Sequence, residues 1–436
     1  MSKLISTGLV AGKTSFKVIS GKGVTFTLED GRQVLDASNT GGPLGHGHPD
    51  MVEAVRKAAE NPVINEGWFW KDREQAAQDL IDTCFEGEED WVGGVRFFLS
   101  GSEANDLAMS FAQAFTGRTP LATRIRAWHG MSGMSQHLTV QPQWHGGLAV
   151  KGGPARPVPC TIPIHQIPEP LGAKYGTVPD ERPTLERLEG IEETLAGTAC
   201  TIIDYTQGGI YYDPVYQDRV AEAARSVGSL WIADEVVTGP GRCGRMFAFQ
   251  GGTSRPDIVT MGKGLAGGHS PVGAVILSKD IVDEIADKSW QTYSTFRGHS
   301  LTIACIRAFL RVLKRDKLIE RVRHLEEIMQ SRLLAIGQRH PSVSRIDGDG
   351  LHWTVELHGP DWRTWMNDTG EPPIASRVSA RALEAGALIG TSGEQTSLFL
   401  SPPYVTSDAE LHAMLDALDA GLDVADAEFL AERQTA

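Results

Sequence analysis

Two short apolar runs in the middle of the chain constrain it most: Leu230-Trp231-Ile232-Ala233-Asp234 and Asp257-Ile258-Val259-Thr260-Met261-Gly262-Lys263. Each is strand-length and almost continuously apolar up to its charged end, the pattern of a parallel strand buried on both faces. Parallel strands need crossover connections, and in open α/β sheets ligands bind outside the carboxyl ends of the strands. Asp234 and Lys263 are therefore expected at one sheet edge, presenting an acid and an amine to a common ligand.

The surrounding sequence alternates in the same way. Phe97-Phe98-Leu99 reads as a strand, broken by Ser100-Gly101-Ser102 and continued by a helix from Glu103 to Phe115 that closes at Gly117. Ser100 and Glu103 have capping-box spacing. The same free N–H groups and positive dipole end, with two hydroxyls and a glycine that permits close approach, also make a seat for a phosphate. Leu121 to Arg126 is a further strand and delivers Trp128-His129-Gly130, whose indole stands where it can stack on a flat cofactor. Ala199 to Asp204 and Pro271 to Leu277 are strands, Gln217 to Val227 a helix, and Leu301 to about Leu334 a long helical tract interrupted near Asp316. An acid, an amine and an anion seat on one sheet edge meet the demands of pyridoxal 5′-phosphate (PLP), whose aldehyde joins a lysine and whose pyridinium nitrogen pairs with a carboxylate.

Flanking this α/β region, Phe16 to Ala37 alternates as a small antiparallel meander and Val343 to Ala436 reads as a small α+β unit that the meander joins. The expected division is residues 1–60 (meander and helix, part of the small domain), 61–325 (large cofactor-binding α/β domain) and 326–436 (small domain). Residues 141–180, rich in Pro and Gly, read as a long surface excursion.

Other signals carry less chemistry. Gly12-Lys13-Thr14 resembles the end of a phosphate loop, but the required glycine five positions earlier is Thr7. His46 and His48 lack ligand-type neighbours at metal spacing and read as loop-shaping, so no metal site is expected. Trp68-Phe69-Trp70 is an aromatic cluster that serves either as a buried anchor or, through Trp68 and Trp70, as the wall of a substrate pocket. A formal net charge of −14 and a pI of about 5.4 argue against nucleic acid or an anionic membrane surface as partner. No apolar run approaches the roughly 20 residues of a membrane span. The amino-terminal stretch shows no export signal, and Cys84, Cys160, Cys200, Cys243 and Cys305 lie far apart with no CxxC, which reads as reduced cysteines in a cytoplasmic protein.

Taken in order, Ser100-Gly101-Ser102-Glu103-Ala104, Trp128-His129-Gly130, Asp234-Glu235-Val236, Gly262-Lys263-Gly264, Pro271-Val272-Gly273-Ala274 and Thr295-Phe296-Arg297-Gly298-His299 resemble the class III (omega-type) aminotransferases of PLP fold type I, a family that includes glutamate-1-semialdehyde aminomutase-like proteins. Lys263 follows Asp234 by 29 residues, and the resemblance runs from about Gly31 to the carboxyl end. It implies a large α/β domain with a mostly parallel seven-stranded sheet plus a small α+β domain. It also implies that Lys263 forms the Schiff base and carries the proton, that Asp234 pairs with the ring nitrogen, that Ser100, Gly101 and Ser102 seat the phosphate, and that Trp128 stacks on the ring. Val237 stands where several members place a glutamine or methionine against the ring hydroxyl. Thr295 matches a threonine that reaches the phosphate of the neighbouring subunit, which implies a homodimer with shared sites.

The chain also departs from that family. Asp204-Tyr205-Thr206 replaces a Glu-Pro ahead of the Gln207-Gly208 loop, and Thr292-Tyr293 replaces a His-Gly. Between Ala382 and Pro402-Pro403 no arginine occurs; Gly390-Thr391-Ser392 fills the stretch where many members carry one to grip a substrate carboxylate. The expected activity is transfer of an amino group from an amine or amino acid donor to a keto acid or aldehyde acceptor. The missing arginine and the aromatic cluster point to a donor whose amine is not simply α to a carboxylate. Aminomutase, racemase or epimerase and ammonia-lyase chemistry use the same lysine, aspartate and phosphate seat, and a catalytically silent binding protein is the alternative outside enzymes.

Overall fold

A computed structural model describes residues 16–435 apart from 61, 64–69, 141–147, 150–154, 157, 171–183, 207–213, 358–371 and 393–395. Gly12-Lys13-Thr14, Trp68, Phe69 and Gln207-Gly208 lie outside the described residues.

The molecule is built on a seven-stranded sheet whose strands we number in chain order: β1 (Val92–Phe98), β2 (Leu121–Arg124), β3 (Ile164–Ile167), β4 (Cys200–Asp204), β5 (Leu230–Asp234), β6 (Ile258–Met261) and β7 (Gly273–Ser278). Across the sheet they run β1-β7-β6-β5-β4-β2-β3, and only β7 is antiparallel to its neighbours. The register sets Asp234 of β5 beside Asp204 of β4 and Thr260 of β6.

Successive residues of each central strand face opposite sides, and both sides are covered. Ile232, Ile258 and Val275 pack into one apolar cluster with Ala104, Ala108 and Met109 of the Gly101–Thr116 helix. Ala233, Val259 and Ile276 pack into the other, with Val220 and Ala224 of the Pro214–Ser226 helix and Ile306 of the Ser300–Arg315 helix. Burial on both faces is the physical reason these strands are apolar throughout, and it leaves their ends as the place where charge reaches solvent or ligand.

Residues 141–180 are more than a surface excursion. Ile164–Ile167 joins the sheet as its edge strand, parallel to β2. Pro163 and Pro168 flank it, and at an edge such prolines bound a strand without removing interior ladder bonds. The helical tract beyond Leu301 breaks as expected: Ser300–Arg315 and Leu318–Arg339 are separated at Asp316 and Lys317, the latter in the left-handed region at φ 49°.

The amino- and carboxyl-terminal segments meet. The meander Val18–Lys22, Thr25–Leu28, Gln33–Asp36 is extended by Ala387–Leu388, parallel to Gln33–Asp36. A second small sheet, Val343–Asp349, His352–Leu357, Ser397–Leu400 and Gly390–Thr391, is antiparallel throughout. Arg242, fully buried, donates to the carbonyls of Asn39 and Leu351 and so ties both segments to the turn that follows β5. His46 bonds Asp36 at 3.0 Å, which makes it a loop-shaping residue.

Candidate active site

Asp234 ends β5 with 4% of its surface exposed. Its Oδ2 accepts from Asn105 Nδ2 at 2.8 Å and meets His129 Nδ1 at 2.8 Å; Oδ1 accepts from Val236 N at 3.1 Å. A buried charge is expensive unless donors surround it, and these three fix the carboxylate in place. Its neighbour Glu235 points the other way, as strand alternation requires. It accepts from Thr238 Oγ1 and from the N–H groups of Ala248 and Phe249, and burial pushes its carboxyl up to about 7. One acid of the pair serves the cavity and the other serves the fold.

Lys263 leaves β6 through Gly262 and opens a short 3₁₀ turn, Lys263–Ala266, at φ 36°. A lysine held at positive φ costs of order 1–3 kcal/mol and persists only where the surroundings demand it, as they do at many functional sites. Burial lowers its ammonium below the ordinary lysine value, while Asp234 and Asp204 act in the opposite direction. The amine is thus biased toward its neutral, nucleophilic form.

The third component is the start of the Gly101–Thr116 helix. Ser100 Oγ accepts from Glu103 N at 3.1 Å and caps the helix, while Glu103 Oε2 accepts from Leu99 N at 2.7 Å, one residue before the cap. Such a cap contributes about 1 kcal/mol to the helix. The remaining first-turn N–H groups, those of Gly101 and Ser102, find no acceptor among the described residues. Both residues line the cavity at the positive end of the helix dipole. A Cβ on Gly101 would lie 2.6 Å from Val236 Cγ1, and one on Gly262 would lie 3.1 Å from Gly101 Cα. The helix start, the turn after Asp234 and the turn before Lys263 therefore approach one another as closely as backbone allows.

That closeness yields a prediction. Gly101→Ala forces a methyl group into filled space, which costs about 1–3 kcal/mol. Relief comes by moving the helix start away from the cavity, so affinity for PLP is expected to fall roughly tenfold or more. Spectral titration of the apoprotein with PLP checks this; unchanged affinity contradicts the assigned role.

Ser100, Gly101, Ser102, Asp234, Val237 and Lys263 all line one cavity of about 220 Å³, with Trp128 on its wall. An anion seat, a carboxylate with an acceptor site still open and a lysine amine around a space of small-molecule size fit PLP. Of the sequence candidates, Thr295 is exposed and is not part of this lining, and Trp70 caps the Lys71–Cys84 helix and packs on the main core. His129, Asn105 and Asp204 were not singled out by sequence. His129 sits inside the quoted Trp128-His129-Gly130 and Asn105 directly follows the quoted Ser100-Gly101-Ser102-Glu103-Ala104, but their partner Asp234 lies 105 and 129 residues away. Asp204 pairs with Arg124 at 3.0 Å and accepts from Trp128 N at 3.4 Å, which steadies the loop that carries the indole.

The stretch without an arginine has its own geometry. A Cβ on Gly390 would lie 2.3 Å from the Phe399 ring, so that ring fills the space a side chain at 390 would need. Phe399 also stacks in parallel on His352, whose ring centroid is 5.8 Å away. Burial, with help from Arg242 and Lys263, lowers His352 to about 3, so it is neutral.

Comparison with known proteins points to one family. Residues 10–422 match the sequence pattern of the family described as aminotransferase class-III. The chain is 30% identical to diaminobutyrate–2-oxoglutarate aminotransferase of Rhizobium meliloti, covering 93% of this chain and 87% of that protein. It is 28% identical to acetylornithine aminotransferase of Caldanaerobacter subterraneus subsp. tengcongensis, covering 92% and 93%. An S-selective transaminase from Arthrobacter sp., solved as a crystal structure, superposes with a TM-score of 0.86 at 26% identity over 98% of this chain and 97% of that one.

Proposed function

The chain belongs to the class-III aminotransferases, a PLP-dependent enzyme family, and we propose which of its residues carry the reaction and on what kind of amine. The observation that carries the reading is the convergence of Lys263, Asp234 and the Gly101–Thr116 helix start on one cavity. PLP, when bound, supplies an electron sink for the bond broken at the amine-bearing carbon.

Each residue then has a separate task. Lys263 offers a neutral amine and moves the proton taken from that carbon, a role worth on the order of a hundred- to ten-thousandfold. Asp234, held by Asn105, His129 and Val236 N, faces the cavity and holds the proton on the ring nitrogen. Ser100, Gly101 and Ser102 bind the phosphate through their N–H and O–H groups, Trp128 covers one ring face, and Val237 packs near the ring substituents. Residues 61–325 form the cofactor-binding part, and 1–60 with 326–436 the smaller part.

The donor is an amine whose reacting carbon bears no carboxylate, and the acceptor is a keto acid or aldehyde. The support is the absence of an arginine between Ala382 and Pro402, where Phe399 closes over Gly390. Trp68 belongs to the same reading as a substrate-side residue, whereas Trp70 packs on the main core and serves as an anchor. A panel of amine donors with carbonyl products identified tests it: turnover is expected with amines lacking an α-carboxylate, and fast turnover confined to common α-amino acids contradicts it. Ammonia release without an acceptor would point to the lyase alternative.

The working unit is a homodimer in the cytoplasm. Thr295 is exposed on a turn between Tyr293 (69% exposed) and Phe296 (52% exposed), an apolar surface that a second copy would cover. If Thr295 completes the partner's phosphate seat, Lys263→Ala and Thr295→Ala chains, each impaired alone, restore activity when mixed, since the heterodimer holds one intact site. Failure to restore activity after verified subunit exchange contradicts the shared site. Among the described residues no helix is long and apolar enough to cross a membrane.

A further inference from the structure

Asp234 accounts for only part of what holds its own charge in place. Its Oδ2 takes donors from both Asn105 and His129, which fills the two lone pairs of that oxygen. Among the described residues its Oδ1 takes only Val236 N. The open acceptor position is therefore on Oδ1, and that atom, rather than Oδ2, is available to a ring nitrogen in the cavity.

His129 is fully enclosed, with 0% side-chain exposure. As the carboxylate that its proposed role requires, Asp234 has no proton to give, so the Nδ1···Oδ2 contact at 2.8 Å places a proton on Nδ1. The other ring nitrogen, Nε2, lies 2.8 Å from the hydroxyl of Thr123, which is 0% exposed on β2. Among the described residues His129 is the only hydrogen-bond partner of that hydroxyl. If Nε2 is unprotonated, Thr123 donates to it and both groups are satisfied. If Nε2 also carried a proton, the Thr123 O–H would be buried with nothing to accept it, an arrangement folded proteins avoid.

We infer that Thr123 is a positioning residue for the reaction: it keeps His129 neutral with its proton on Nδ1, so that the Asp234–His129 pair carries a single negative charge and an open lone pair on Oδ1. A second proton on His129 would make it a cation against Asp234 and weaken the carboxylate's hold on a ring proton. Thr123 touches neither substrate nor cofactor; it acts two hydrogen bonds away. The inference rests on the reading of Asp234 as the partner of the ring nitrogen.

The test is the nitrogen-15 spectrum of the PLP-loaded enzyme labelled at histidine, with the His129 signals identified by their loss in His129→Gln. Wild type is expected to show Nδ1 protonated and Nε2 bare. Thr123→Ser keeps that pattern; Thr123→Val, equal in shape but without the hydroxyl, loses it, with kcat falling about tenfold and the donor KM changing less than about twofold, in line with losses from other ligand-orienting partners. Both nitrogens protonated in wild type, a proton on Nε2 alone, or an unchanged spectrum in Thr123→Val overturns the inference. The wild-type spectrum decides even if the valine variant fails to fold. Failure to find the cofactor on Lys263 would instead overturn the underlying reading.

Discussion

Lys263→Ala is expected to leave a folded protein that takes up PLP without the visible absorbance of the lysine-linked cofactor, and to lose at least about a thousandfold in turnover. Lys263 is half-buried, and alanine inherits the same strained φ of 36°, so the fold itself changes little. A second consequence concerns the apoprotein. Burial lowers the folded-state value of Lys263 below its unfolded value, so between the two the unfolded chain binds more protons. Stability contributed by this group therefore rises with pH across that window and is flat above the ordinary lysine value of about 10.4. The alanine variant should lack that slope in denaturant titrations run at several pH values. A variant that keeps both visible band and turnover contradicts the role assigned to Lys263.

Asp234→Asn should be nearly as damaging, with turnover down about a hundred- to thousandfold, the loss that follows removal of one preorganised electrostatic partner. The side chain keeps its shape, but an amide cannot hold a proton on a ring nitrogen by charge. Its NH₂ group would also face donors, either His129 and Asn105 on one side or Val236 N on the other. Some destabilisation follows, since a buried donor facing a donor costs about 1–3 kcal/mol. Measuring kcat at saturating donor alongside PLP affinity separates the effects. A large drop in kcat with the cofactor still bound is the expected result, and near wild-type turnover contradicts it.

Much of this was legible in the residue order. β5 and β6 announce themselves because strands covered on both faces must be apolar throughout, and their charged ends must then sit at the sheet edge. The Ser100–Glu103 spacing marked a helix start from local hydrogen bonding alone. What it did not reveal was why residue 101 is glycine: the reason is Val236, 135 positions away, packed against it. His129 and Asn105 escaped for the same cause. Their meaning lies in a carboxylate on another strand, and nothing in a tripeptide such as Trp128-His129-Gly130 states which acid it will meet. The edge strand Ile164–Ile167 was hidden by its length of four residues, its polar centre at His165 and Gln166, and the prolines around it. Its identity comes from pairing with β2, a tertiary fact. Thr295 was readable only by resemblance; it is exposed and lies outside the cavity lining.

Reducing the PLP-loaded protein with borohydride and mapping its peptides by mass spectrometry tests whether Lys263 carries the cofactor in the cavity shared with Asp234 and the Gly101–Thr116 helix start. One stable phosphopyridoxyl adduct per chain is expected, on the peptide that contains Lys263. An adduct on a different lysine, or none on a protein that nonetheless transaminates, would contradict it.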